Sequence, residues 1–170
     1  PITDGGDPQV GADDAQVTIV EYADYQCQPC QEQEKILKRL RKEYGDKIRI
    51  IWKDYPVFKK NSRSFKAARA GRCAAQQEEF WPYHRSLYGL DGKLNKNNFV
   101  DIAKELDLNI SSFESCLEDK RVDGLIMDNI KEAHALGISG IPFIYINDQQ
   151  IMGKTTYEEL KRLVELEMKD

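Results

Sequence analysis

The sequence lacks the features that mark several classes of protein. It has no run of about 18 apolar residues, the length that crosses a membrane. Its 25 basic and 29 acidic residues are mixed along the chain and give a net charge of −4, so no basic stripe predicts nucleic-acid binding. Four cysteines in 170 residues are too few for a disulfide-rich scaffold. With 41% hydrophobic residues, the chain is long and apolar enough to form one globular domain with a core.

The start of the sequence lacks any helical or strand periodicity. Residues 1–13 are polar and rich in glycine and aspartate, which predicts a linker or a trimmed mature N-terminus. These residues also lack the cationic and apolar regions of a signal peptide. We therefore expect that a signal or anchor is absent from this chain.

Strand and helix patterns alternate in the main domain. The β-branched, apolar segments 17–24 and 47–56 predict two strands, and the helical spacing of apolar residues between them completes a βαβ unit. Two further strands and an amphipathic helix close the chain. The sequence thus predicts an α/β protein of βαβ…ββα order, whose main domain consists of residues 14–60 and 137–170.

The segment between these two parts is rich in helix formers. Residues 61–136 predict an all-helical insertion of roughly 75 residues without a strand pattern. Asn95 suits the start of one of its helices, and Ser111 or Ser112 suits the start of another.

The cysteines Cys27 and Cys30 stand two residues apart where the first strand gives way to a helix. A zinc site needs four ligands, usually as two close pairs, whereas Cys73 and Cys116 are far apart in the sequence. We therefore expect no metal site. A structural staple is also a poor interpretation, because a bridge over so short a loop removes little entropy from the unfolded chain.

Redox exchange explains the position of the pair better. A cysteine at the start of a helix meets unpaired N–H groups and the positive end of the helix dipole, which lower its pKa. Cys27 is therefore the predicted nucleophile, and Cys30 is predicted to resolve the mixed disulfide. Pro29 suits the first helical turn, where its missing N–H leaves no hydrogen bond unmade.

Three segments resemble the DsbA-like branch of the thioredoxin superfamily: VTIVEYADYQCQPC, GRCAAQQEEFWPYHRSLY and ALGISGIPFIYIND. The resemblance extends from about residue 11 to residue 168. It implies a thioredoxin-like fold and a thiol-disulfide oxidoreductase that uses Cys27 and Cys30 as its redox-active disulfide, with no cofactor.

The resemblance also implies a cis peptide bond before Pro142. Ile141 then presents its N–H and C=O to an extended substrate chain, and Gln28 and Pro29 are the other predicted substrate-binding residues. The alternative is an ordinary trans proline at the first residue of a strand.

An acidic residue at the position of Glu21, six residues before Cys27, moves protons in DsbA-like proteins. A buried carboxylate there serves as a base for Cys30, with its pKa raised by desolvation. The alternative is a glutamate that faces solvent. Glu34 matches another acidic position of the family, but a solvated helix face explains it at least as well.

By the same resemblance, Cys73 and Cys116 form a second, non-catalytic disulfide, which needs an oxidising compartment. Two separately buried thiols are the alternative. With the disulfide, the expected location is extracytoplasmic, in the periplasm or at the outer face of the cell membrane.

The residues between the cysteines leave the direction of electron flow open. Gln28 and Pro29 resemble thioredoxin-type reductants, as does Ile141, whereas DsbA-type oxidants carry Pro-His between the cysteines. We expect the introduction of disulfides into secreted or periplasmic proteins; a reductase or isomerase of thioredoxin-like poise is the alternative, and a non-catalytic partner-binding domain is less favoured. The predicted partners are unfolded or partly folded cysteine-containing proteins and a membrane thiol oxidase of the DsbB or VKOR type, with no nucleic acid.

Overall fold

Among the described residues, the strands form a five-stranded sheet in the order β1-β3-β2-β4-β5. A computed structural model describes residues 1–56, 59 and 61–169. Its strands are β1 (Gln9–Val10), β2 (Val17–Ala23), β3 (Ile48–Asp54), β4 (Phe143–Ile146) and β5 (Gln149–Met152). Its α-helices are α1 (Gln28–Tyr44), α2 (Arg63–Ala75), α3 (Phe80–Gly89), α4 (Lys96–Glu105), α5 (Ile110–Leu117), α6 (Lys120–Ala135) and α7 (Tyr157–Glu167), and a 3-10 turn covers Gly45–Lys47.

The chain divides into two compact units. The first, here called the sheet unit, comprises Pro1–Ala23, Cys27–Lys53 and Glu132–Asp170, and the second, the helical unit, comprises Asp24–Gln26 and Asp54–Lys131. Residues 57, 58, 60 and 170, which belong to the predicted main domain, lie outside the described residues. The predicted α/β architecture with a helical insertion is confirmed, since α2 to α5 and most of α6 lie in the helical unit.

β2 lies in the middle of the sheet and is buried along almost its whole length. It pairs antiparallel with β4, and Tyr22 faces Phe143 in the ladder. The end of β2 therefore lies beside the start of β4. This register places two separate segments of the chain at one end of the sheet, namely the residues that follow Ala23 and the residues that precede Phe143.

The segment predicted as a linker contains a strand. Residues Gln9 and Val10 form β1, which pairs antiparallel with Ile51 and Ile50 of β3. The Trp52 N–H also donates a hydrogen bond of 2.9 Å to the Pro8 carbonyl. A strand of two residues is too short to show a periodic pattern in the sequence. Its hydrogen-bond partners lie on β3, about forty residues later in the chain.

A buried cation ties the N-terminal segment to the rest of the sheet unit. The Lys53 side chain is 1% exposed, and its Nζ lies 2.6 Å from Asp7 Oδ2 and 2.9 Å from Glu132 Oε2. A buried ammonium needs such partners, because removal from water without them is very costly.

Helix starts in the helical unit follow the expected capping chemistry. Asn95 caps α4 as predicted, and its side chain accepts a hydrogen bond from the Asn98 N–H. The prediction for α5 was wrong: Asn109 is the cap, and Ser112 contributes the N–H that donates to it. Asparagine caps helices at least as well as serine, and at Asn109 the helix begins earlier. None of the helices in the described part of the chain is long and apolar enough to span a membrane.

Candidate active site

The Cys27–Cys30 pair lies at the start of α1. Cys27 is the N-cap, with extended backbone angles of φ −87° and ψ 108°. Its Sγ accepts a hydrogen bond of 3.2 Å from the Cys30 N–H, and its carbonyl accepts the first helical hydrogen bond, 3.1 Å from the Gln31 N–H. Pro29 lies in the first turn, as predicted for a residue without an N–H. The sulfur of Cys27 therefore meets the donors and the positive end of a helix.

The two sulfurs differ in exposure. Cys27 and Cys30 are bonded to each other, with their Cα atoms 5.2 Å apart. Cys27 is half-buried, and Gln28 and Pro29 between the cysteines are exposed, whereas Cys30 is fully buried. An incoming thiolate can thus reach Cys27 but not Cys30, which fits the predicted division of roles.

The loop before β4 brings the other predicted site residues to the same end of the sheet. The peptide bond between Ile141 and Pro142 is cis. Pro142 is buried and its carbonyl accepts a hydrogen bond of 2.8 Å from the Gly153 N–H, while Ile141 is half-buried. Because Phe143 pairs with Tyr22 near the end of β2, this loop and the segment that leads into Cys27 leave the sheet at one end.

Glu21 is a buried carboxylic acid on β2. Its side chain is 1% exposed, and within the described part of the chain its Oε1 has no hydrogen-bond partner. Burial raises the pKa of Glu21 well above its usual value, and the nearby charge of Glu34 raises it further. Glu21 is therefore buried on the central strand and holds its proton far more strongly than a solvent-facing glutamate does.

Glu34 is also buried. The alternative that it lies on a solvated face of α1 is therefore wrong. Glu34 shares the buried face of α1 with Cys30, Gln33 and Leu37. These positions have helical spacing from Cys30, which is the signal that places Glu34 on the inner face. The neighbouring Gln33 is fully buried, and its Oε1 accepts a hydrogen bond of 2.9 Å from the Thr155 N–H, which ties the loop after β5 to α1.

The second cysteine pair lies in the helical unit and is no part of the arrangement around α1. Cys73 of α2 and Cys116 of α5 are bonded, with an S–S distance of 2.06 Å and Cα atoms 5.7 Å apart. Both residues are buried. Among the described residues, no group of histidine, cysteine and acidic side chains could hold a metal ion.

Comparison with known proteins agrees with this geometry. A family model described as thioredoxin matches residues 3–166. A thioredoxin-like oxidoreductase from Silicibacter pomeroyi is 27% identical, with a TM-score of 0.87 over 98% of this chain and 95% of its own. The thiol-disulfide exchange protein alpha-DsbA2 from Wolbachia pipientis has the same fold, at 24% identity and a TM-score of 0.86 over 96% of this chain and 88% of its own.

A curated relative differs in its size. The chain is 30% identical over 164 residues to a protein named Na(+)/H(+) antiporter NhaA 3 from Salinispora tropica. The alignment covers 96% of this chain and 25% of that protein. The chain spans about a quarter of the length of the curated relatives it matches. The match of the family model covers nearly the whole chain, and the oxidoreductase from Silicibacter pomeroyi aligns over nearly its whole length. The chain therefore belongs to the thioredoxin family.

Proposed function

We propose that this chain is a thiol-disulfide oxidoreductase that introduces disulfide bonds into secreted or periplasmic proteins. The observation that supports this direction is the hydrogen bond from the Cys30 N–H to Cys27 Sγ in the first turn of α1. Donors at a helix start stabilise a thiolate at this sulfur and so favour the reduced form of the pair. A pair whose reduced form is stabilised is the stronger oxidant, because it takes electrons from its substrates more readily.

The reaction proceeds through two exchanges of sulfur. A substrate thiolate attacks Cys27 Sγ, the Cys27–Cys30 bond breaks, and Cys30 leaves as a thiolate that takes up a proton. The second substrate thiolate attacks the substrate sulfur of the mixed disulfide, and Cys27 leaves as a thiolate. The substrate has then lost two electrons and gained a disulfide, and the protein has gained the two electrons as a reduced cysteine pair.

Glu21 supplies the proton in this scheme. Its raised pKa keeps the carboxyl group protonated at a pH where an exposed glutamate is ionised. It donates the proton toward Cys30 when that sulfur leaves, and it takes a proton back when the disulfide forms again. Its burial on β2, six residues before Cys27, supports this role.

The substrate chain binds in an extended form at the loop before β4. Ile141 presents its N–H and C=O to this chain, and buried Pro142 fixes the loop. Gln28 and Pro29 are exposed between the two cysteines and make the neighbouring contacts. Recognition through backbone groups suits unfolded or partly folded proteins, which share little beyond an accessible cysteine.

The second disulfide supports an extracytoplasmic location. The buried Cys73–Cys116 bond persists in an oxidising compartment such as the periplasm or the outer face of the cell membrane. There the reduced Cys27–Cys30 pair passes its two electrons to a membrane thiol oxidase of the DsbB or VKOR type, which regenerates the disulfide.

A reductase or isomerase of thioredoxin-like poise is the second candidate function. Gln28 and Pro29 lie exposed between the cysteines with no histidine beside Cys30, and this sequence resembles thioredoxin more than DsbA. Within the thioredoxin fold these two residues contribute much of the difference in reduction potential.

Equilibration with glutathione separates the two functions. A reduction potential between about −180 and −120 mV supports the oxidase, and one near about −270 mV supports the reductase and overturns the proposal. A second measurement follows disulfide formation in a reduced, unfolded substrate protein with this chain in catalytic amount and oxidised glutathione as the electron acceptor. The matched control is Cys27→Ser, which leaves the fold but lacks the reactive sulfur.

A further inference from the structure

Two of the three residues that lead into Cys27 are bonded to helices of the helical unit. Asp24, Tyr25 and Gln26 follow β2 and group with that unit. The Ser64 hydroxyl of α2 donates to Asp24 Oδ1, and the Tyr88 hydroxyl of α3 donates to the Asp24 carbonyl at 3.5 Å. The short peptide before the reactive cysteine is therefore held by side chains on two helices.

A further anchor is the contact between Tyr25 and His84. The Tyr25 hydroxyl and His84 Nδ1 share a hydrogen bond of 2.8 Å, and both side chains are buried. Their ring centroids are 5.4 Å apart in an edge-on arrangement, and the Tyr88 ring lies 5.0 Å from that of Tyr25. A methyl group added at Gly71 would lie 3.2 Å from the Tyr25 hydroxyl, so glycine leaves room for this oxygen.

The exchange steps proposed above do not use His84, which is completely buried. The buried His84 imidazole forms a hydrogen bond with Tyr25, two residues before Cys27, and so restrains the backbone that leads into Cys27. Cys27 Sγ accepts the Cys30 N–H only while the Cys27 backbone keeps its N-cap angles of φ −87° and ψ 108°. A loosened Tyr25 allows these angles to vary and weakens that hydrogen bond.

We propose that His84 is a positioning residue for Cys27, which acts through Tyr25 to keep the sulfur at the helix start. The proposal deepens the proposed function and rests on it, since it concerns the same thiolate. Loss of the Tyr25–His84 hydrogen bond then destabilises the Cys27 thiolate. The pKa of Cys27 rises, the reduced form of the pair becomes less favourable, and the protein becomes a weaker oxidant.

The test compares three variants that each remove one hydrogen bond. His84→Phe and Tyr25→Phe break the anchor and keep an aromatic ring in the same place. Tyr83→Phe is the matched control, because the Tyr83 hydroxyl is buried on the same helix α3 and donates 2.8 Å to the Phe99 carbonyl, away from Tyr25. Tyr25→Phe removes a single oxygen atom, so the test stands even if His84→Phe does not fold.

Two readouts separate positioning from a purely structural role. The first is the equilibrium constant with glutathione, and the second is the pH dependence of Cys27 alkylation in the reduced protein. We expect both anchor variants to shift the equilibrium toward the disulfide form by about threefold to tenfold, the range of one hydrogen bond, and to raise the pKa of Cys27. The control should lose stability and leave both readouts within about twofold of the wild type.

The double variant Tyr25→Phe/His84→Phe sharpens the result. Its shift should equal that of one single variant, because both remove the same bond. The proposal is overturned if the anchor variants behave as Tyr83→Phe does, with lower stability and unchanged readouts. That result leaves the proposed function untouched, whereas a wild-type protein of thioredoxin-like potential overturns the oxidase and leaves the effect of His84 measurable.

Discussion

Cys27–Cys30 spans a sequence separation of 3 at the start of α1, and Cys73–Cys116 spans 43 and links α2 to α5. The first bond has one half-buried sulfur at a helix start, between exposed neighbours, and the second joins two buried residues inside a helical unit. The same covalent bond is therefore accessible to another thiol in one case and shielded from it in the other. Exposure, loop length and the donors near the sulfur make the difference.

The largest expected effect is the loss of exchange when the first pair is broken. Cys27→Ser should abolish exchange, because it removes the accessible sulfur. Cys30→Ser should accumulate mixed disulfides through Cys27, since the resolving thiol is missing. Mass spectrometry of the unreduced protein after incubation with a substrate checks both. Mixed disulfides in the Cys27→Ser variant instead of the Cys30→Ser variant would reverse the assigned roles.

Removal of the second pair should cost stability and leave the chemistry in place. In the chain-entropy account, a loop of this length contributes about 4 kcal/mol, compared with about 2 kcal/mol for the short loop of the first pair. Cys73→Ala/Cys116→Ala should therefore lower the free energy of unfolding by about twice as much as Cys27→Ala/Cys30→Ala. Denaturant titration of both double variants measures this. If Cys73→Ala/Cys116→Ala changed the equilibrium constant with glutathione relative to the wild type, the two disulfides would not have separate roles.

Glu21 adds a dependence on pH to the sheet unit. Its pKa in the folded protein lies above the usual 4.5, so the folded state binds this proton more tightly than the unfolded state. The stability that it contributes is present below pH 4.5 and is lost as the pH rises toward the raised folded pKa. Glu21→Gln should abolish this loss and be more stable than the wild type at pH 8, by about 1–3 kcal/mol.

Melting temperatures of the wild type and Glu21→Gln at several pH values test this prediction. The two proteins should converge in acid and separate as the pH rises. Glu43→Gln is the matched control, because Glu43 is exposed on the same sheet unit. If the melting temperatures of the wild type and Glu21→Gln differed by the same amount at every pH, Glu21 would not be a buried acid of raised pKa. The same variant should also slow exchange, since Glu21 is the proposed proton donor to Cys30.

The smallest expected effect concerns the helix that carries Cys116. Asn109 caps α5 and also exchanges two backbone hydrogen bonds with the Gln77 side chain, of 2.8 and 3.1 Å. Asn109→Ala removes only the cap and should cost about 1 kcal/mol of stability. Thermal unfolding measures the loss. If Asn109→Ala changed the equilibrium constant with glutathione, the helix of Cys116 would influence the Cys27–Cys30 pair, and the two disulfides would not have separate roles.

Much of this fold was accessible from sequence because the decisive signals are local. The strand before Cys27, the helix start at Pro29 and the long helical segment each follow from residues close together in the chain. Asn95 was identified as a cap on the same basis. The cap of α5 was misplaced because Asn109, Ser111 and Ser112 are all good candidates within four residues.

The rest depends on contacts between distant residues. β1 exists because β3 supplies its hydrogen bonds, and Lys53 is buried because Asp7 and Glu132 meet its charge. Tyr25 and His84 are 59 positions apart, and neither residue predicts the other. Helical spacing from Cys30 did carry a signal for Glu34, but its acidic character favoured the surface.

The pairing of Lys53 sets a boundary for anyone who shortens or fuses this protein. A version that starts after Asp7 retains the buried ammonium with one carboxylate, Glu132, and opens the site to water. A fusion partner attached ahead of residue 1 leaves Asp7 and β1 in place. The polar first residues, which look dispensable in the sequence, are thus the part of the chain that protein engineering should leave uncut.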